Sequence, residues 1–175
     1  MKTVVIAAGH SNTDSGAVNG EHKESVLMAS FRNAVAVYLR ANGIRVVTDG
    51  TGLVNKPLKE SISLIKGSDL AVEFHMNAAI SKQANGVETI ALPKDKKLAQ
   101  SLSKAVADVF GSRLRGDNGW IDQSRSARGN LGYINAGGLI VELEFISNDD
   151  KLKTFNEKYW LAAKAVAEVI KEYLK

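Results

Sequence analysis

Short β-branched apolar runs alternate along this chain with longer stretches in which apolar residues recur at helical spacing. Thr3 to Ala8 is an apolar run of strand length. From about Glu24 to Asn42, Leu27, Phe31, Ala34, Val35, Tyr38 and Leu39 share one helical face, and Gly43 follows as a stop. Ile44 to Thr48 is a second strand, and Pro57 to Lys66 reads as a helix with proline in its first turn, ended by Gly67. Leu70 to Phe74 and Gly86 to Leu92 are strands. Leu98, Leu102, Ala105, Val106 and Val109 form a helical stripe. Residues 111–138, rich in Gly, Asp and Arg, read as mostly irregular. Leu139 to Leu143 is a strand, and a long helical stripe runs from Leu152 to Tyr173. Strands alternating with helices imply an α/β fold, a largely parallel sheet covered on both faces. The 175 residues fit a single domain, 1–175, with no linker-like segment or repeat.

Such sheets place their ligand sites outside the carboxyl ends of their strands. The chain has three histidines, and two stand at such ends: His10 after the first strand and His75 after the third. Glu142 lies near the end of the Leu139 to Leu143 strand. Two imidazoles and a carboxylate are a common zinc set that leaves a fourth position for water. Glu24, at the start of the first helix, is the carboxylate chosen to complete it, because the loop of Gly16 to Gly20 can fold the helix start back over the sheet. The competing role for Glu24 is capping its own helix, and Glu21 and His22 are rival ligands. A carboxylate inside an apolar strand needs a partner or a function. For Glu142 the structural alternative is an ion pair with Arg125 or Arg128. Asp14 and Asn77 either hold the ligands in place or simply form turns. Trp120, in a glycine-rich loop, is the aromatic expected to touch substrate, whereas Phe155, Tyr159, Trp160 and Tyr173 read as core packing.

Composition narrows the classes. Cysteine is absent, which removes disulfides, a thiol nucleophile and thiolate metal sites. The net charge of +4 is spread out, and the densest basic stretch, Arg113 to Arg128, also holds Asp117 and Asp122 and lacks interleaved stacking aromatics. Nucleic acid is therefore not an expected partner. No segment is long enough to enter a membrane as a span. The apolar run from Met1 to Ala8 is too short for a signal peptide and reads as the first strand.

Taken in order, the motifs resemble a family. Ala8-Gly9-His10, Asp14-Ser15-Gly16-Ala17, Glu24, Phe74-His75-Met76-Asn77-Ala78 and Val141-Glu142-Leu143-Glu144-Phe145-Ile146-Ser147-Asn148 are similar to the zinc-dependent N-acetylmuramoyl-L-alanine amidases of bacterial autolysins and phage endolysins. The resemblance spans residue 4 to about 170. It implies a twisted, mostly parallel sheet flanked by helices, zinc held by His10, Glu24 and His75, and Glu142 as catalytic base. It also implies cleavage of the amide between N-acetylmuramic acid and L-alanine of peptidoglycan. The alternatives of another class are a peptidase or deacetylase using the same zinc set, and a non-catalytic wall-binding module.

The chain departs from the family pattern at Ser11, at Glu73 and Met76 around His75, and at Glu144, where the family has glycine. If the last strand runs regularly, Glu142 and Glu144 both face the site. The reading adopted here is that the chain bends after Leu143, so that Glu144 turns to solvent or to an arginine. The remaining expectations are a monomer with no separate wall-binding domain and no signal peptide, acting on the cell wall. Synthesis in the cytoplasm and release at lysis, as for an endolysin, would suit such a chain.

Overall fold

A computed structural model describes residues 2–175; Met1, the first residue of the apolar N-terminal run, lies outside the described residues. Six strands form the main sheet: β1 (Thr3–Ala8), β4 (Arg45–Thr48), β5 (Leu70–Asn77), β6 (Glu88–Ala91), β7 (Trp120–Asp122) and β8 (Leu139–Phe145). Their order is β4-β1-β5-β8-β6-β7. The first four in that order are mutually parallel; β6 runs antiparallel to β8, and β7 runs parallel to β6. A separate two-stranded hairpin, β2 (Val18–Asn19) with β3 (His22–Lys23), fills part of the expected loop.

Alternation along the strands divides the core in two. Val4, Ile6, Val72, Phe74, Val141 and Leu143 point to one face. That face carries three long helices, α1 (Glu24–Ala41), α3 (Lys96–Phe110) and α5 (Asp149–Tyr173). Phe31 of α1 meets Phe74 edge-on at 4.8 Å between ring centroids, and Phe155 of α5 lies 6.2 Å from Phe31. Each such fully buried ring contributes about 1.5–3 kcal/mol over leaving it in water. Val5, Ala7, Ala71 and Ile140 point to the other face, covered more thinly by the short helices α2 (Leu58–Ser63) and α4 (Gly132–Asn135). The fold is thus a single α/β domain with a mostly parallel sheet and helices on both faces.

Three sequence expectations change. The segment 111–138 is not wholly irregular: β7 and α4 lie within it, and both are too short to show a period. The helix expected to Lys66 ends at Ser63 and continues as turns. Trp160 and Tyr173, taken for core, are 50% and 51% exposed on α5, whereas Phe155 is buried.

Candidate metal centre

The carboxyl edges of β1, β5 and β8 bound an open cleft of about 750 Å³. His10, the second residue after β1, adopts φ 67°, a left-handed conformation that costs a non-glycine residue roughly 1–2 kcal/mol. The surroundings over-determine it. The Asn55 side-chain amide donates to the carbonyls of Ala8, Gly9 and His10 at 3.2, 3.0 and 3.1 Å. The loop bearing Asn55 is anchored by a fully buried ion pair, Arg32 Nη1 to Asp49 Oδ1 at 3.0 Å, and Asp49 also accepts from the Ala8 backbone N–H. Sequence inspection missed this strut, because its members are far apart along the chain.

Glu24 opens α1 but does not cap it. Its carboxylate turns inward, where Oε2 accepts from Ala17 N at 3.0 Å and Oε1 from Met76 N at 2.9 Å. The same two oxygens meet the histidines: His10 Nε2 lies 2.9 Å from Oε2, and His75 Nδ1 lies 3.1 Å from Oε1. Ligand atoms of His10, Glu24 and His75 therefore all fall within 4.8 Å of one another. Two glycines make the approach possible. A Cβ on Gly9 would sit 2.3 Å from the His75 ring, and one on Gly16 would sit 2.5 Å from His10 and 2.6 Å from Glu24.

Each imidazole has its second nitrogen on a further carboxylate. His10 Nδ1 is 2.9 Å from Asp14 Oδ2, and His75 Nε2 is 2.8 Å from Glu73 Oε1. Burial alone would raise the Glu24 pKa, but its bonds to the two histidines outweigh it and hold the carboxyl well below the usual carboxylate range. Burial would likewise lower both histidines, yet the hydrogen bonds to Glu24, with Glu73 for His75 and Asp14 for His10, raise them.

Glu142 pairs in register with His75 on β5 and with Glu88 on β6, so it faces the same cleft. Burial pushes its carboxyl up to about 7; nearby His75 opposes this, while Glu24 and Glu88 add to it. Among the described residues its Oε2 has no hydrogen-bond partner. No ion pair joins Glu142 to Arg125 or Arg128 among the described residues. The carboxylate at its side, Glu88, is the one held by an arginine, Arg115, at 2.5 Å.

The other singled-out residues divide. Asp14 orients His10, and Asn77 lines the cleft and donates to Glu88 Oε1 at 3.2 Å. Glu144 is a correction. What changes is where it goes: β8 runs on to Phe145, and pairing shifts from His75↔Glu142 to Asn77↔Phe145, so β8 carries one extra residue after Glu142, a bulge that bends the strand there. That bulge turns Glu144 out of the cleft, to neither solvent nor arginine. It is wholly buried, accepts from Gly86 N, Phe145 N and Ser112 Oγ, and has Lys151 Nζ at 3.6 Å. Trp120 is a second correction. It packs beside the core, donates from its indole to Ala91 O at 3.1 Å, and is not part of the cleft lining. His22 lies on β3 beside Asn156 of α5, away from the centre. Sequence reading overlooked the roles of Glu73, which lines the cleft, and of Glu88, which pairs with Glu142 from β6, though Glu73 stands two positions before His75 and so on the same strand face.

The donor set is what a zinc site with an open position requires, and an orphaned carboxylate oxygen stands beside it. The crystal structure of a proposed N-acetylmuramoyl-L-alanine amidase from Neisseria meningitidis superposes with a TM-score of 0.91 at 46% identity, covering 99% of this chain and 96% of that one. The catalytic domain of CwlV, an N-acetylmuramoyl-L-alanine amidase from Bacillus (Paenibacillus) polymyxa, gives 0.85 at 26% identity, with 99% and 98% covered. The Bacillus subtilis N-acetylmuramoyl-L-alanine amidase LytC is 27% identical over 154 residues, which is 84% of this chain and 30% of LytC, so the chain spans under a third of that relative. The profile of the N-acetylmuramoyl-L-alanine amidases matches residues 4–172, and the chain belongs to that family.

Proposed function

We propose that the protein is a zinc-dependent peptidoglycan hydrolase, cleaving the amide between the lactyl group of N-acetylmuramic acid and L-alanine of the stem peptide. The observation that carries this is the convergence of His10, Glu24 and His75 within 4.8 Å, with the unpartnered Glu142 carboxylate facing the same cleft. Zinc in such a site polarises a scissile carbonyl and brings the pKa of a bound water toward about 7. His10 and His75 are oriented for that role, each by a carboxylate on its far nitrogen. Glu142 takes the proton of the attacking water and returns it to the departing amine of L-alanine. Ser126, Ala127 and Arg128 line the cleft from the far loop, where a glycan or stem peptide would pass. Under this reading the protein acts on the cell wall as a monomer.

The test is hydrolysis of purified peptidoglycan, with and without chelator, read by newly freed L-alanine amino groups. Chelator-sensitive release supports the proposal. Solubilisation without new L-alanine termini, or release indifferent to metal, would sink it.

A further inference from the structure

We infer that Glu73 is the positioning residue for His75: its carboxylate holds the ring proton on Nε2 and so leaves Nδ1 as the nitrogen presented toward Glu24 for a metal. This rests on the zinc reading above, but it concerns a residue at which the chain departs from the small side chain usual in the family.

Three observations carry it. Glu73 and His75 are i and i+2 on β5 and share a strand face, and Glu73 Oε1 stands 2.8 Å from His75 Nε2. Next, the carboxylate is 3% exposed, and a buried carboxylate persists only when its oxygens are satisfied. Among the described residues its side-chain partners are His75 and Ser61, whose Oγ donates to Oε2 at 3.3 Å. The buried arginine on the sheet's other face, Arg32, is committed to Asp49 and does not reach it. Ser61 belongs to α2, so the thin helical cover on this face backs the carboxylate directly.

The third observation is the contrast with His10. Both imidazoles turn one nitrogen to Glu24 and the other to an orienting carboxylate. Asp14, which orients His10, has 65% of its side chain exposed, whereas Glu73 has 4%. Exposed pairs contribute little because solvent screens them and the side chain is free to leave. A buried carboxylate with its second oxygen tied down has neither escape. With Glu73 holding the Nε2 proton, a metal would have to displace only the proton that His75 Nδ1 shares with Glu24 Oε1 across 3.1 Å. Without Glu73, the ring is free to flip or to take the other tautomer.

The experiment measures zinc affinity by chelator competition for wild type, Glu73→Gln and Glu73→Ala. Thermal unfolding of the chelated proteins confirms that each variant folds. Removing an orienting carboxylate behind a metal-bound histidine weakens metal binding on the order of 10–100-fold. That loss is expected for Glu73→Ala. A smaller loss is expected for Glu73→Gln, whose amide oxygen still accepts from Nε2–H and which carries the test if the alanine variant does not fold. A second readout is the ¹⁵N spectrum of His75 in the zinc-loaded protein: a proton on Nε2 and metal at Nδ1 are expected in wild type. Affinity within about twofold of wild type in both variants would overturn the inference. So would metal on Nε2, or a loss in Glu73→Gln as complete as in His75→Ala, which would make Glu73 itself a ligand. If wild type binds no zinc, the functional proposal fails. If wild type binds zinc and the variants bind it equally well, only the Glu73 inference fails.

Discussion

Replacing Glu142 by glutamine separates two consequences of one buried carboxylate. Burial raises its pKa from 4.5 to about 7 in the metal-free protein. An acid whose folded pKa lies above its unfolded value destabilises the fold once it must ionise. The penalty is absent below about pH 4.5, grows as pH rises, and is complete above about 7. Each unit is worth about 1.4 kcal/mol, so the ceiling is about 3.5 kcal/mol. Glu142 also borders the open cleft, and water there screens part of this, leaving about 1–2 kcal/mol as the expected gain for Glu142→Gln above pH 7. In a domain of this size that is about 2–8 °C in unfolding temperature. The assay is thermal unfolding of chelated wild type and variant at pH 5 and pH 8. The variant should match wild type at the lower pH and exceed it at the higher. Turnover should move the other way, falling on the order of 10²–10⁴-fold with zinc retained, because a general base has been lost. A stability difference independent of pH would refute the burial argument, and retained turnover would refute the role of base.

Other outcomes follow from the same geometry. His10→Ala and His75→Ala should lose zinc by elemental analysis, whereas His22→Ala, whose imidazole faces Asn156, should keep it. Gly9→Ala puts a Cβ 2.3 Å from the His75 ring, so zinc affinity should fall sharply while the circular dichroism of the fold persists. Glu144→Gly strips its partner from the buried Gly86 N–H and removes the carboxylate beside Lys151. It should cost about 1–3 kcal/mol in denaturant unfolding while turnover per folded molecule stays near wild type.

Periodicity in the sequence was enough for the α/β class, because period-two and period-3.6 burial are properties of local chain geometry. It was also enough to put His10, His75 and Glu142 at one edge, since parallel strands deliver their carboxyl ends together. Glu24 needed the family resemblance as well: a glutamate in a first helical turn looks the same whether it caps the helix or leaves it for two histidines. What the order of residues left undecided was decided by contacts between distant segments. The antiparallel course of β6 beside β8, and with it the nearness of Glu88 to Glu142, depends on strand pairing that no local pattern encodes. The left-handed turn at His10 is held by Asn55 and by the Arg32–Asp49 pair, 22 to 45 residues away along the chain. Glu144 shows the limit most plainly. Strict alternation would set it beside Glu142 and the expected bend would send it to solvent or an arginine, but a single extra residue in β8 opposite β5 turned it into the buried cluster with Ser112 and Lys151. Register between strands is a tertiary quantity, and a slip of one residue reverses the side on which a carboxylate lies.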